Sequence, residues 1–290
     1  MKHYRDSCMA AGLLMALMLV GGTMCVGSSY AADKVQATLL VPDVLVFPGK
    51  PTSLKARLVR SGVLSHIGLG GENVVFMVGP KTVGTALTGG DGRAFLEYRR
   101  HMSGTLDVVV SLEKSPRVEA TEQRGVLAVW ERRRPILLVD LDALMPVGES
   151  SRFSLSTLSL ALGGDLPTPI PEAASELEKL ARFYYNVIYL ARQEGQGVPV
   201  IREWLHMHEF PLGLTRTIGP GSTALKAFID QLKEDGWDNL DAAIGRTLDF
   251  AQVLVKDRIR TVILEQPNQK EKFPRRTKLA KTWKTVRKHL

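Results

Sequence analysis

Arg132-Arg133-Arg134-Pro135-Ile136-Leu137-Leu138-Val139-Asp140-Leu141-Asp142 divides the chain and decides its fold. Residues 136–139 form a short unbroken apolar run, the pattern of a strand covered on both faces, with a basic, proline-containing entry and a carboxylate exit. Such a strand needs helices on either side, so the run predicts a parallel sheet wrapped by helices. It also delivers two carboxylates, Asp140 and Asp142, to the carboxyl edge of that sheet, where ligands of open α/β folds bind.

The same grammar continues downstream. Pro171-Glu172 opens a helix whose apolar stripe is Ala173, Leu177, Leu180 and Ala181. Strands are expected at 187–190, 242–244 and 261–264, and helices around 201–207, 225–232 and 250–255. Ala191, Arg192 and Gly245 then emerge at the same edge as Asp140. Residues 153–162, where Ser and Leu alternate, are expected to form a small hairpin or flap above that edge.

Upstream of the arginines the period changes to two. Leu54, Ala56 and Leu58 alternate with Ser53, Lys55 and Arg57, one face in and one out. Further strands are expected at 74–78, 82–87, 94–98, 106–110 and 126–130. They are separated by Pro48-Gly49-Lys50-Pro51, Gly70-Gly71 and Gly89-Gly90-Asp91-Gly92, residues suited to tight turns. Roughly seven strands in roughly a hundred residues predict an antiparallel sandwich.

The first 32 residues stand apart. Lys2 and Arg5 precede an apolar stretch, 9–20, that leads to Ser29-Tyr30-Ala31, the pattern of a secretory signal cleaved after Ala31 or Ala32. The alternative is an uncleaved anchor, for which the stretch is short. Cys8 and Cys25 both lie here, so the exported chain is expected to be periplasmic or extracellular and to hold itself together by its cores rather than by disulfides.

The net charge of +8 is concentrated at the other end, where residues 270–290 hold nine Lys or Arg against Glu271 alone. A nearly neutral body with one basic terminus argues against nucleic acid. Leu279, Trp283, Val286 and Leu290 recur at helical spacing with lysines and arginines between them. This predicts an amphipathic basic tail that either lies on anionic lipid or another anionic polymer of the envelope, or packs Trp283 and its neighbours on the domain. The organisation expected is therefore a signal at 1–32, a sandwich at 33–131, an α/β domain at 132–269 and a tail at 270–290.

Two resemblances add to this reading. Gly49-Lys50-Pro51-Thr52, Gly71-Glu72-Asn73-Val74-Val75-Phe76 and Thr88-Gly89-Gly90-Asp91-Gly92-Arg93-Ala94 resemble bacterial immunoglobulin-like modules of secreted proteins. Residues 135–265 resemble the haloacid dehalogenase-like phosphohydrolases, in the branch related to phosphatidate phosphatases. The matching segments are Asp140-Leu141-Asp142, Ile188-Tyr189-Leu190-Ala191-Arg192, Arg202-Glu203-Trp204-Leu205 with Phe210-Pro211-Leu212-Gly213, and Ala243-Ile244-Gly245-Arg246.

That second resemblance implies Asp140 as a nucleophile forming an aspartyl phosphate and Asp142 as general acid and base. It implies Mg2+ held by Asp140, Asp142 and Asp249, a charge-balancing lysine at Lys226 or Lys233, and phosphate contacts from Arg192 and Arg246. The chain departs from the family at several of these places. Leu144 and Ala191 stand where hydroxyl residues are usual, and Gly245-Arg246 stands where the family has Gly-Asp. A guanidinium repels a cation, so Arg246 is expected to pair with Asp140 or Asp142 in the metal's stead. The resemblance with these losses implies a noncatalytic binding or scaffolding protein; an active Mg2+-dependent phosphomonoesterase is the alternative.

Other motifs point nowhere specific. His206 and His208 lie two apart on an expected helix and face different ways, unsuited to one metal. Gly219-Pro220-Gly221-Ser222 is a lone Gly-rich turn before a helix, able to cradle an anion but common in plain loops.

Overall fold

The computed structural model describes residues 34–61, 66–146, 166–192, 198–266 and 271–290. The signal segment and the flap expected at 153–162 lie outside these residues.

Among the described residues, ten strands precede the tri-arginine stretch: β1 (Val35–Leu40), β2 (Val44–Val46), β3 (Pro51–Ser61), β4 (His66–Gly68), β5 (Asn73–Val78), β6 (Lys81–Leu87), β7 (Arg93–Arg99), β8 (Gly104–Leu112), β9 (Val118–Ala120) and β10 (Gln123–Val129). They build two five-stranded sheets. One runs β4-β3-β1-β9 with β7 also paired to β3, and the other runs β2-β10-β8-β5-β6. The alternation in β3 is realised as expected: Leu54, Ala56 and Leu58 are buried together with Leu39, Val74, Phe76, Val108, Val110 and Leu127 from the facing strands. The sandwich is not wholly antiparallel, because β1 pairs β9 and β2 pairs β10 in parallel register.

The second half contains β11 (Ile136–Asp140), α1 (Ala173–Phe183), β12 (Asn186–Arg192), α2 (Val198–Met207), β13 (Leu214–Ile218), α3 (Ser222–Glu234), β14 (Leu240–Gly245), α4 (Leu248–Lys256), β15 (Arg260–Leu264), β16 (Lys278–Ala280) and α5 (Trp283–Val286). The six strands form one all-parallel sheet in the order β13-β12-β11-β14-β15-β16. Successive side chains of β11 enter different cores. Leu137 and Val139 join the face covered by α1, α2 and α5, while Ile136 and Leu138 join the face covered by α3 and α4. The unbroken apolar run is this two-sided burial written in sequence.

The two halves share a core. Val126, Ala128 and Trp130 at the end of β10 pack with Leu138, Leu214, Ile229 and Trp237. Phe47 stacks on Trp237 at 4.0 Å between ring centroids. Asp43, in the turn between β1 and β2, has a fully buried side chain and holds both halves. Its Oδ1 accepts from the Val126 amide at 2.8 Å and its Oδ2 from the Thr215 amide at 2.6 Å, and it ion-pairs with Arg202 of α2 at 2.6 Å.

The terminal segment differs from the single amphipathic helix expected. Lys278–Ala280 extends the parallel sheet as its sixth strand, and only Trp283–Val286 is helical. Ala280, Trp283 and Val286 are buried, and the Trp283 indole donates to the Ala143 carbonyl at 2.9 Å. Three buried residues and one indole bond outweigh a solvent-exposed amphipathic arrangement. Leu279 faces outward.

Candidate functional site

The strand order reverses between β11 and β14: the chain winds from β11 through β12 to β13 on one side, then returns to β14 and continues outward on the other. Such a switch point opens a crevice at the carboxyl edge. Asp140 ends β11 there, Arg192 ends β12, and Gly245-Arg246-Thr247 leaves β14 into α4. A short 3-10 turn, Leu141–Ala143, follows Asp140, whose carboxylate caps it by accepting from the Asp142 amide at 3.2 Å.

The structure brings five of the expected site residues together: Asp140, Asp142, Arg192, Arg246 and Asp249. Their wiring is centred on Arg192. Its Nε donates to Asp140 Oδ2 at 2.8 Å, its Nη1 to Asp249 Oδ2 at 2.6 Å and its Nη2 to Thr247 Oγ1 at 2.6 Å. Thr247 in turn donates to Asp249. The Phe250 ring lies under the guanidinium, 5.6 Å from its centre. Arg246, expected to be the carboxylates' counter-ion, is buried close enough to feel both Asp140 and Asp142, yet its Nε has no hydrogen-bond partner. The cation that bridges two of the carboxylates therefore comes from the neighbouring strand rather than from the lost acidic position. A guanidinium at the end of β12 reaches across β11's tip because adjacent parallel strands lie only about 4.8 Å apart.

Burial raises the Asp140 carboxyl to about 7, against the pull of Arg192, with the nearby Asp142 adding to the rise. For Asp249, burial alone would push the carboxyl up, but bonds from Thr247 and the charge of Arg192 hold it below the usual range. Burial also draws Arg246 down, with Asp142 and Asp140 pulling it back in part. Arg192 is opposed by burial too, but Asp140 and Asp249 outweigh that and raise it.

These residues do not fit a divalent cation as they stand. Asp140 Oδ2 and Asp249 Oδ2 already accept from Arg192, and a metal between them would meet the guanidinium's charge. Among the described residues, no group of three or more His, Cys, Asp or Glu side chains is arranged to hold a metal ion.

The expected lysine lies elsewhere. Lys226 pairs with Asp230 and, at 3.7 Å, with Asp257 beyond the far end of α4, and Lys233 binds the same Asp257 at 2.6 Å. Neither touches Asp140. His206 is exposed, while His208 packs edge-on against the buried Trp204 at 5.1 Å. Thr247, which the sequence reading passed over, completes the network. Its signal was its place at the N-cap of a helix whose first turn carries Asp249.

Gly245 shapes the crevice floor. A Cβ there would meet the Phe250 ring at 2.3 Å. Gly245→Ala is expected to cost about 1–3 kcal/mol through overpacking. Urea titration checks this, and an unchanged midpoint would mean that Phe250 yields freely.

No family model matches the chain, and no curated protein matches it. Among solved structures, the fibronectin(III)-like modules of Clostridium thermocellum CbhA are 14% identical, with 32% of this chain and 94% of that one covered at a TM-score of 0.23. The CARDB domain of a Pyrococcus furiosus protein is 12% identical over 33% of this chain and 86% of its own, at a TM-score of 0.24. A putative alpha-galactosidase/melibiase from Bacteroides fragilis is 12% identical over 81% of this chain and 54% of its own, at 0.20. Scores this low carry no argument about what the crevice does.

Proposed function

We propose that this chain is an exported, noncatalytic binding or scaffolding protein of the cell envelope, with an immunoglobulin-like sandwich followed by a haloacid dehalogenase-like domain whose phosphotransfer site has become an ion network. The observation that carries the reading is Arg192, which engages the carboxylates of Asp140 and Asp249 at once. An aspartate that attacks phosphorus needs a free lone pair and a cation shared with the phosphate. Here the lone pair of Asp140 Oδ2 is directed at a fixed side chain, and the cation is part of the protein. The departures at Leu144, Ala191 and Arg246 support the same reading. On this view Asp140 and Asp142 persist because removing either would disturb a buried charge balance. The terminal segment, with its excess of lysines and arginines, would meet an anionic lipid or polymer of the envelope.

Calorimetry with MgCl2 and a phosphate-release assay on p-nitrophenyl phosphate test this directly. The expected result is no saturable magnesium heat and no magnesium-stimulated turnover. Turnover that requires magnesium and disappears in Asp140→Asn would instead establish a phosphomonoesterase with Asp140 as nucleophile.

A further inference from the structure

Trp283, the aromatic residue of the amphipathic pattern in the basic terminus, is buried. Another pair of rings sits beside that terminus, largely exposed. Phe183, the last residue of α1, is 64% exposed and the adjacent Tyr184 is 56% exposed, their ring centroids 6.3 Å apart. Neighbouring large rings are rarely left in water without use, since each forgoes the stabilisation of burial. Arg182 places its guanidinium 5.4 Å from the Phe183 ring.

The chain terminus comes to the same place. Lys284 pairs with Glu172 at the start of α1 at 2.6 Å, and Arg260 bonds both the Leu290 carbonyl and, at 3.0 Å, the Tyr185 hydroxyl at its end. Residues 284–290 thus run alongside α1 toward the exposed rings. Arg134, at the entry to β11, reaches the same end of α1, donating to the carbonyls of Ala181 and Tyr185. Arg133, Arg182, Arg287 and Lys288 are exposed and, among the described residues, in no ion pair with a carboxylate.

We propose that this end of the α/β half, with Phe183 and Tyr184 at its centre and Arg133, Arg182, Arg287 and Lys288 around them, docks on an anionic lipid surface. Charge alone would suit any polyanion. The rings decide for a bilayer, because an apolar ring gains only where it meets an apolar phase, and an aromatic pair ringed by basic side chains suits the headgroup boundary. The inference deepens the anionic-partner part of the proposed function and owes nothing to the Arg192 network.

The test uses the Lys34–Leu290 unit, which contains all three cores, so that the apolar residues 9–20 cannot themselves partition. Flotation is measured with vesicles of phosphatidylcholine alone and with phosphatidylglycerol added. The expected result is binding to the anionic vesicles only, weakened about tenfold in Phe183→Ala/Tyr184→Ala. Arg182→Ala and Lys288→Ala should each weaken it about fivefold, and salt should weaken it for all. Equal thermal midpoints would show the variants folded. Binding that the ring variants retain and the charge variants lose would overturn the docking surface while sparing a purely electrostatic role for the terminus. Failure to bind either vesicle, or binding of soluble polyphosphate without vesicles, would overturn it as well.

Discussion

Replacing Asp43 with alanine is expected to cost the folded state about 3–5 kcal/mol, the range for removing one partner of a buried ion pair. Four consequences add to one another. Arg202, nearly as buried as Asp43, loses its counter-charge at 2.6 Å. Arg216 loses a more distant one at 3.8 Å. The amides of Val126 and Thr215 lose their acceptors in a region closed to water. These groups come from β10, β13 and α2, so the loss falls on the junction between the two halves rather than on either core. Burial raises the Asp43 carboxyl even against Arg202, and a folded carboxyl raised in this way contributes most below its ordinary pKa and progressively less as pH rises. Its value in the native state therefore rests on the bonds it organises. Urea unfolding followed through tryptophan fluorescence checks the prediction, because Trp130 and Trp237 meet edge-on at this junction, 6.5 Å apart. The variant should unfold at a lower midpoint, with the sandwich and α/β half separating into two transitions. A loss below about 1 kcal/mol, within the range of an exposed pair, would show that the junction rests on the Phe47, Trp130 and Trp237 contacts alone.

Much of this architecture was legible because it follows from periodicity. The alternation of Leu54, Ala56 and Leu58 named a one-sided strand, and the run 136–139 named a two-sided one that ends in Asp140. The elements that escaped are those whose pattern is weak or misleading. β13 reads Leu-Thr-Arg-Thr-Ile, with three polar residues in five, and is held at the sheet's edge by its pairing with β12 and by the Asp43 bond to Thr215. β16 is three residues long, and its Leu279 fell into helical step with Trp283 and Val286 by coincidence of spacing. Asp43 follows a proline and looks like any turn residue; the amides it accepts from lie 83 and 172 positions away, a distance no local pattern spans.

The site was half legible for a related reason. Position along the sheet edge follows from strand ends, so Asp140, Arg192 and Arg246 could be gathered without coordinates. Which guanidinium turns inward depends on side-chain direction, and the sequence suggested Arg246 only because it stands where an acidic residue is usual. The carboxylate of Asp249 and the hydroxyl of Thr247 draw Arg192 across instead, two bonds that Arg246 from its own strand end does not make.

Arg192→Met follows from that geometry as the sharpest probe of the site. Methionine keeps an unbranched apolar side chain and removes three bonds and the charge. The cost is expected to be about 3–5 kcal/mol at pH 8, the range for removing one partner of a buried ion network, here together with three hydrogen bonds. Its dependence on pH fixes the cause. In the wild type, Asp140 titrates at about 7 in the fold, against about 3.9 when unfolded. A raised folded value means that the stability tied to its proton is fully present below pH ~4 and is lost as pH rises through ~7. Without Arg192 the folded value moves higher still, so at pH 5 Asp140 is protonated in both proteins and the deficit from this carboxylate should shrink. Asp249 contributes less to the difference, because its side chain is 37% exposed and water can serve it. Denaturant titrations at pH 5 and pH 8 should therefore show a deficit about 1 kcal/mol smaller in acid, the most that a carboxyl titrating at about 7 can add by pH 8, with Asp140→Asn removing that part of the loss at pH 8. A deficit of equal size at both pH values would place the cost in lost packing, and the guanidinium would then no longer account for how the two carboxylates are kept.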